Sequence, residues 1–303
     1  MTGATGFIGQ HVHRALLDAG HYVTAVIRPE RAEVPLDPRC HILRASLFDG
    51  EALRSAVQNA TAMIALAGAV RGSSGEQFAS VNTDSISVLR RVMETNAVDT
   101  PLLLMSSLAA SQPELSDYAA SKRSGEAIIT QSALRWCALR PPAVYGPGEK
   151  ELRPLLTWLV RGVIIVPGSL ANRISFIHVA DLTAACLAWL NHAQLLQRRI
   201  FTLDDGTTGG YDWADIEKAV CDRRRLRLVL PPAFLRLLGR LNASWASLTG
   251  TAPMLSPGKV NELLNPHWVG SGETEGNNAF TALTGWRPQW TLKAGVQQTM
   301  QTR

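Results

Sequence analysis

Thr2-Gly3-Ala4-Thr5-Gly6-Phe7-Ile8-Gly9 is the stretch on which the reading of this chain turns. It carries Gly-x-x-Gly-x-x-Gly at the mouth of an apolar-periodic segment, Phe7, Ile8, Val12, Leu16 and Leu17, that stops at Gly20. That periodicity with a closing glycine predicts a helix. Each glycine has its own reason to be there. Gly3 permits a tight turn, Gly6 lets the backbone approach a pyrophosphate, and Gly9 lets the helix pack close to a sheet. The helix N-terminus then offers free N–H groups and a positive dipole end to phosphates. Glycine spacing alone is weak, because turns are full of glycine, so its weight comes from the pattern of the residues downstream.

Outward from this motif, strand and helix patterns alternate. Residues 21–27 (HYVTAVI) are β-branched and read as a strand, with a weaker one at 40–43 and a helix near 50–58. Residues 62–67 (AMIALA) and 101–106 (PLLLMS) are short and apolar throughout, as strands buried on both faces should be. Helices are expected at 78–96 and 117–130, and a further strand at 136–139. The alternation indicates an α/β fold with a doubly wound parallel sheet. Beyond Tyr145 the regularity fades at Pro147, Gly148, Pro154, Pro167 and Gly168. Phe234, Leu237, Leu238, Leu241, Trp245 and Leu248 recur at helical spacing and read as the core or lid of a smaller, mostly helical C-terminal unit, with contact to a membrane surface as the alternative.

Composition narrows the classes. With 46% hydrophobic and 18% charged residues, the 303-residue chain is an ordinary globular protein with a sizeable core. Thirty basic against 25 acidic residues leave a net charge of +5, and the densest cluster is Arg223, Arg224, Arg225 and Arg227. No longer stripe and no recognition motif accompanies it, which argues against nucleic acid as a partner. The excess charge also suits an anionic, phosphate-bearing cofactor. Cys40, Cys137, Cys186 and Cys221 lack ligand spacing, so neither a metal nor a redox dithiol is expected, and scattered thiols suit a cytoplasmic location. The longest charge-free apolar stretch, 61–70, is too short for stable membrane insertion, and the first residues do not read as a signal peptide.

The second strand ends Ala25-Val26-Ile27-Arg28-Pro29-Glu30-Arg31. An acid at its end would hold the adenosine ribose of NAD, whereas Arg28 can accommodate a 2′-phosphate, so NADP is favoured over NAD. Further on, Tyr118 and Lys122 sit four residues apart on one helix face, a helix that Ser116 or Asp117 can cap. Lowering a tyrosine pKa from near 10 by about three units takes roughly 4 kcal/mol, much of which an adjacent lysine cation beside a bound cofactor can supply. Ser106 and Ser107 end the preceding strand, where open α/β sheets place their ligands. A hydroxyl there can hold a substrate oxygen while Tyr118 exchanges its proton.

These residues together resemble the extended short-chain dehydrogenase/reductase family, in its NAD(P)-dependent epimerase/dehydratase branch, over nearly the whole chain. TGATGFIG at 2–9 is similar to its cofactor fingerprint, which implies contacts from Gly3, Thr5, Gly6, Phe7, Ile8 and Gly9. Leu66, Ala67 and Gly68 resemble the strand end lining the adenosine, and Asn82 the asparagine of the following helix. LRPPAVYGPG at 139–148 resembles the motif beside the nicotinamide, which implies that Pro141, Ala143 and Val144 approach the ring. SFIHVADL at 175–182 and TGWRPQW at 284–290 match further signatures. The resemblance implies a Rossmann sheet, hydride transfer at nicotinamide C4, Tyr118 as general acid/base, Lys122 on the nicotinamide ribose and Ser107 on the substrate oxygen.

Three departures accompany it. Ser46-Leu47 stands where relatives often carry Asp-Leu beside the adenine, the interval from Ser107 to Tyr118 is short, and only Met1 precedes the fingerprint. The first strand of the sheet is therefore expected to be missing or truncated, with about six to eight further residues upstream and a sheet split at its centre.

The expected division is a dinucleotide-binding unit over 1–147, joined by 177–203, and a substrate-binding unit from 148–176 and 204–303. The expected activity is a reductase or dehydrogenase for a carbonyl or alcohol, small or lipid-like. A nucleotide-sugar epimerase or dehydratase is the alternative, with Arg153, Arg161 and Arg173 facing a pyrophosphate. A non-catalytic NADP-binding module is a second alternative. The partner is a small-molecule substrate, and the resemblance suggests a homodimer.

Overall fold

The computed structural model describes residues 1–31, 35–220, 226–249, 255–270 and 274–301. Helix α1 (Phe7–Asp18) leads to strands β1 (Thr24–Ile27) and β2 (His41–Arg44), then α2 (Gly50–Gln58) and β3 (Met63–Ala65). Helices α3 (Gly75–Ala79) and α4 (Ser85–Asn96) are joined by a π-helical turn, Ser80–Asp84, and are followed by β4 (Leu102–Met105), α5 (Asp117–Thr130), β5 (Trp136–Leu139) and β6 (Ala143–Tyr145). Next come α6 (Arg153–Val160), β7 (Val163–Pro167), β8 (Arg173–Ile174), β9 (Phe176–His178), α7 (Val179–Asn191) and β10 (Arg199–Phe201). The remainder is α8 (Trp213–Val220), β11 (Leu226–Leu230), α9 (Pro232–Thr249), α10 (Pro257–Leu264), β12 (His267–Trp268), α11 (Asn277–Thr284) and α12 (Leu292–Gln301).

Two parallel runs, β2-β1 and β3-β4-β5-β10, are joined by the first two residues of the chain. Thr2 makes parallel bridges to Val26 of β1 on one side and Ala65 of β3 on the other. Its N–H donates to the Ile64 carbonyl at 3.0 Å, its carbonyl accepts from Leu66 at 3.3 Å, and the Met1 carbonyl accepts from Val26 at 2.9 Å. The order is therefore doubly wound, with Met1 and Thr2 in the central place. The expected split of the sheet does not occur, because two residues suffice to hydrogen-bond both neighbours.

Side chains that alternate along a buried strand reach opposite faces, and the strands here are apolar on both. Leu103, Met105, Cys137 and Leu139 share one core with Val12, Leu16 and Leu17 of α1 and Leu182, Cys186 and Trp189 of α7. Leu102, Leu104, Trp136 and Ala138 share the other with Val57 of α2, Ile86, Leu89 and Met93 of α4, and Ile129 of α5. A separate core holds Tyr145, Leu156, Ile164, Phe176, Trp213, Ile216, Leu292 and Val296. Three parallel pairs lie outside the main sheet: β6 with β9, β7 with β11, and β8 with β12.

The two later sequence signatures lock each other. The Asp181 carboxylate accepts from the N–H groups of Gln289 and Trp290, at 2.9 and 3.0 Å, and the Trp286 indole donates to the Asp181 carbonyl at 3.0 Å. The expected core face of α9 is reversed. Phe234, Leu237, Leu238, Leu241, Trp245 and Leu248 are not core, since all six are exposed on that helix. Leu235, Gly239 and Ala246 face inward instead. Cys221 and the arginines at 223–225 lie outside the described residues, while Arg227 pairs with Glu217 at 2.7 Å. Among the described residues no helix is long and apolar enough to cross a membrane, and no group of three or more His, Cys, Asp or Glu is placed to hold a metal.

The glycine turn supplies a stability test. A Cβ on Gly9 would lie 2.0 Å from the Gly3 carbonyl oxygen, backbone against backbone, whereas one on Gly276 meets nothing within 4 Å. Gly9→Ala is expected to cost about 3 kcal/mol, and Gly276→Ala only a few tenths, in paired denaturant titrations.

Candidate active site

The glycine turn forms a cradle without side chains. Gly3 has φ +72°, and a Cβ there would fall 2.5 Å from the Ala67 nitrogen. Gly6 is the N-cap of α1, and no side chain caps that helix. The N–H groups of its first turn, which includes Phe7, Ile8 and Gly9, thus have no capping side chain, and Thr5 sits in the turn just before it. A pyrophosphate fits such a cradle: close backbone approach, a free helix N-terminus and a positive dipole end.

Leu66, Ala67 and Gly68 follow β3 and border this cradle, with the Ala67 N–H donating to the Thr2 hydroxyl at 3.4 Å. A Cβ on Gly68 would lie 3.2 Å from Asn82 Oδ1 and 3.6 Å from Lys122 Nζ, so the loop runs directly beside α5. Arg28 is exposed immediately after β1. Arg44 ends the neighbouring strand in register with Ile27, which puts two cationic residues at adjoining strand ends. Ser46 is exposed and accepts from the Phe48 N–H at 3.2 Å, while Leu47 is buried with Val26, Ala45 and Leu53.

Asn82 is nearly inaccessible and satisfied by the protein. Its amide oxygen accepts from the Ala69 N–H at 2.9 Å, and its amide nitrogen donates to the Ala69 carbonyl at 3.0 Å and the Ser121 hydroxyl at 2.9 Å. It sits in the π turn, a feature common at functional sites. Gly125 of α5 passes so close that a Cβ would fall 2.0 Å from the Asn82 carbonyl oxygen. Asn82 therefore ties the strand-end loop to the helix that carries Tyr118 and Lys122.

Ser107 lies two residues past β4 and caps the short turn Leu108–Ser111, its hydroxyl accepting from the Ala109 N–H at 3.2 Å. The same hydroxyl lies on the side of the Tyr118 phenol and acts to lower its pKa. Ser106, by contrast, is buried with a hydroxyl that has no partner, so Ser107 is the serine that meets the tyrosine. Ser116 caps α5 by accepting from the Ala119 N–H at 3.0 Å, which fixes Tyr118 in the first turn. Phe78 stands edge-on to Tyr118 with ring centroids 6.0 Å apart. Pro141 is buried, its carbonyl accepting from the Leu108 N–H at 2.9 Å, and Ala143 and Val144 lie half-buried in β6.

The electrostatics differ from the expectation of a tyrosine acidified by lysine. Burial pushes the Tyr118 phenol up to about 12; the Ser107 hydroxyl opposes this, and the Glu262 charge adds to it. Burial also brings the Lys122 ammonium down to about 8, partly countered by Glu126. Lys122 Nζ donates to the Met105 carbonyl at 2.7 Å. Desolvation penalises both charged forms, and it outweighs whatever the pair could gain from each other. Below Lys122, Glu126 makes two hydrogen bonds with the buried Arg140, at 2.8 and 2.5 Å, which anchor α5 to the end of β5.

Three neighbours escaped the sequence reading. Glu262 of α10 accepts from the Ser116 hydroxyl at 2.5 Å and pairs with Lys259 at 2.9 Å. It lies 146 residues from Ser116, and no local spacing connects them. Phe78 and Arg44 carry no motif of their own, although Arg44 could have been found as the basic residue closing the strand after Arg28.

Residues 1–203 match the model of the NAD dependent epimerase/dehydratase family. The ceramide reductase of Caulobacter vibrioides is 32% identical over 279 residues, covering 89% of this chain and 85% of that protein. The UDP-glucuronic acid 4-epimerase of Bacillus cereus, solved with UDP-glucuronic acid and NAD, superimposes with a TM-score of 0.69 at 17% identity, over 99% of this chain and 96% of the other. The UDP-glucose 4-epimerase of Thermotoga maritima, solved with UDP-glucose, gives 0.66 at 17% identity, over 99% and 96%. At such identities the two solved structures speak for the fold alone. Glycine cradle, Ser107–Tyr118–Lys122 grouping, family match and reductase relative converge: the chain belongs to the NAD dependent epimerase/dehydratase family, NAD-dependent enzymes of the extended short-chain dehydrogenase type.

Proposed function

We propose that the protein is an NADP-preferring reductase acting on the carbonyl of an apolar, lipid-like substrate, with Tyr118 as the proton donor. The observation that carries this reading is the placement of Lys122, which reaches the Met105 carbonyl two residues before Ser107 and lies beside Gly68 at the edge of the glycine cradle, on the helix that carries Tyr118. A bound nicotinamide supplies the hydride. Gly3, Thr5, Gly6, Phe7, Ile8 and Gly9 hold its pyrophosphate, Leu66, Ala67 and Gly68 border the adenosine, and Pro141, Ala143 and Val144 line the ring. Ser46 and Leu47 lie on the adenine side, and Asn82 steadies the loop. Lys122 holds the nicotinamide ribose, and Arg28 with Arg44 takes the 2′-phosphate.

Ser107 donates a hydrogen bond to the substrate oxygen, and Tyr118 delivers its proton as negative charge develops there. A phenol held near 12 is fully protonated at neutral pH, which suits the reductive direction. The 32% ceramide reductase relative supports a lipid-like carbonyl. Against the nucleotide-sugar reading, Arg173 is spent on the carbonyls of Gly209 and Gly210, at 2.5 and 2.9 Å, and lies near Asp212 and Asp215. Arg161 lies over the Trp158 ring at 6.0 Å. A pure NADP-binding module would have no use for Ser107, Tyr118 and Lys122 at the strand end.

The same reading assigns 1–147 with 177–203 to the cofactor and 148–176 with 204–303 to the substrate. Buried free thiols at Cys40, Cys137 and Cys186 support a reducing, cytoplasmic setting. A homodimer through a helix pair completes it.

With a carbonyl panel, Tyr118→Phe should lower the rate of NADPH oxidation by about 10²-fold or more while NADPH affinity, read by fluorescence titration, stays within about threefold. A rate within a few-fold of the parent overturns the mechanism. Arg28→Ala with Arg44→Ala should raise KM for NADPH about tenfold, roughly 1.4 kcal/mol, and leave KM for NADH unchanged. The Lys122 charge is present below pH 8 and lost above it, since its pKa lies near 8 rather than 10.5. Tyr118 keeps its proton over that range, so reductive kcat/KM should be flat up to about pH 8 and fall with a one-proton slope above it.

A further inference from the structure

α9 is an amphipathic helix with its faces reversed relative to the bulk of the fold. Leu235, Gly239 and Ala246 form its buried side, and Gly239 faces α10, where a Cβ would lie 2.8 Å from Val260. Phe234, Leu237, Leu238, Leu241, Trp245 and Leu248 form the other stripe, which at 100° per residue spans an arc of only ~100°. It is open to solvent: Leu241 is 59% exposed, Trp245 69% and Leu248 84%. Arg240 falls about 60° beyond one edge of this arc and Arg236 about 100° beyond the same edge, both exposed, and α9 contains no Asp or Glu. Strand β11, which leads into α9 through Pro231, exposes Leu226, Leu228 and Val229 as well. A contiguous apolar stripe of this kind on a folded surface marks an interaction face.

The stripe sits close to the chemistry. α10 lies between α9 and the tyrosine: Glu262 accepts from Ser116, the cap of the Tyr118 helix, and Asn261 donates to the Leu115 carbonyl at 3.2 Å. A Cβ on Gly258 would fall 2.8 Å from Ser116 Cβ.

We propose that the outer face of α9 docks the protein on an anionic lipid surface, the apolar stripe entering the headgroup boundary and Arg240, on its flank, meeting lipid phosphates. Charge decides the occupant. A helix whose only charged residues are two arginines, without a carboxylate, complements a negative bilayer surface, and two arginines next to a second copy of themselves would repel. A partly exposed tryptophan at the end of such a stripe suits the bilayer interface. Docking there sets the α9–α10 pair, and behind it Tyr118, against the source of an apolar carbonyl substrate. This last step rests on the reductase reading above; the docking itself does not.

Flotation of the full chain, without cofactor, with phosphatidylcholine vesicles and with vesicles that also carry phosphatidylglycerol tests it. Binding is expected to the anionic vesicles, about tenfold weaker to the neutral ones, and reduced by added salt. Leu241→Asp and, independently, Leu248→Asp should each weaken it at least about tenfold with melting temperatures within about 2 °C of the parent. The vesicle-induced blue shift of tryptophan emission should disappear in Trp245→Phe. No flotation, or flotation that both Asp variants leave intact, overturns the proposal. So does a concentration-dependent dimer abolished by Leu241→Asp in a protein that does not float. NADPH oxidation separates the two readings. Parent and Leu241→Asp should reduce a short water-soluble ketone equally, while a long-chain ketone in anionic vesicles is reduced about tenfold more slowly by Leu241→Asp. Flotation without turnover of either ketone defeats the reductase reading alone; turnover of the soluble ketone without flotation defeats the docking alone.

Discussion

The backbone crossing between Thr2 and the Gly3–Gly9 turn holds the rest of the structure in place. Thr2 hydrogen-bonds to β3 while Met1 hydrogen-bonds to β1, and one residue later Gly3 turns the chain with φ +72° against the Leu66–Ala67 peptide. Gly9 then lets α1 rest on the Gly3 carbonyl. These contacts are backbone on backbone, so they leave no room for a side chain and create the cradle by the same act that joins the two halves of the sheet. Fold and ligand site are one constraint here, which is why an eight-residue stretch carries so much of the reading.

The other organising element is α5. It is pinned at its start by Ser116, along its side by the close approach of Gly125 to Asn82, and near its end by the buried Glu126–Arg140 pair. A buried ion pair is expensive to desolvate, and it contributes register more than net stability. That register sets where Tyr118 meets Ser107 and where Lys122 meets the Met105 carbonyl. Burial then determines the protonation of both groups, toward a neutral phenol and a lysine near 8.

Much of this is legible in the chain. Helix α5 falls on 117–130 and β5 on 136–139, as their patterns indicate, because a capped helix and a strand buried on both faces leave local signatures. Lys122 reaches the end of β4 at the Met105 carbonyl, two residues from Ser107. The π turn at Ser80–Asp84 leaves no such mark, since one extra residue in a helical turn barely disturbs a 3.6-residue period. The role of Asn82 as a tie between loop and helix is equally hidden, because its partners Ala69 and Ser121 lie 13 and 39 residues away.

By itself the sequence determined the alternation of strands and helices, the glycine turn and the identity of the chemical groups, all of which depend on neighbours within a few positions. Only the tertiary structure decided which face of α9 is buried, that Glu262 stands beside the Tyr118 turn, and that the tyrosine is raised rather than lowered in pKa. The physical reason is common to the three. A hydrophobic period states that a helix has an apolar face but not what that face meets. A titratable residue likewise carries its charge in the sequence, whereas its solvation is set by what the fold packs around it, as Phe78 and the α10 residue Glu262 do at the Tyr118 turn.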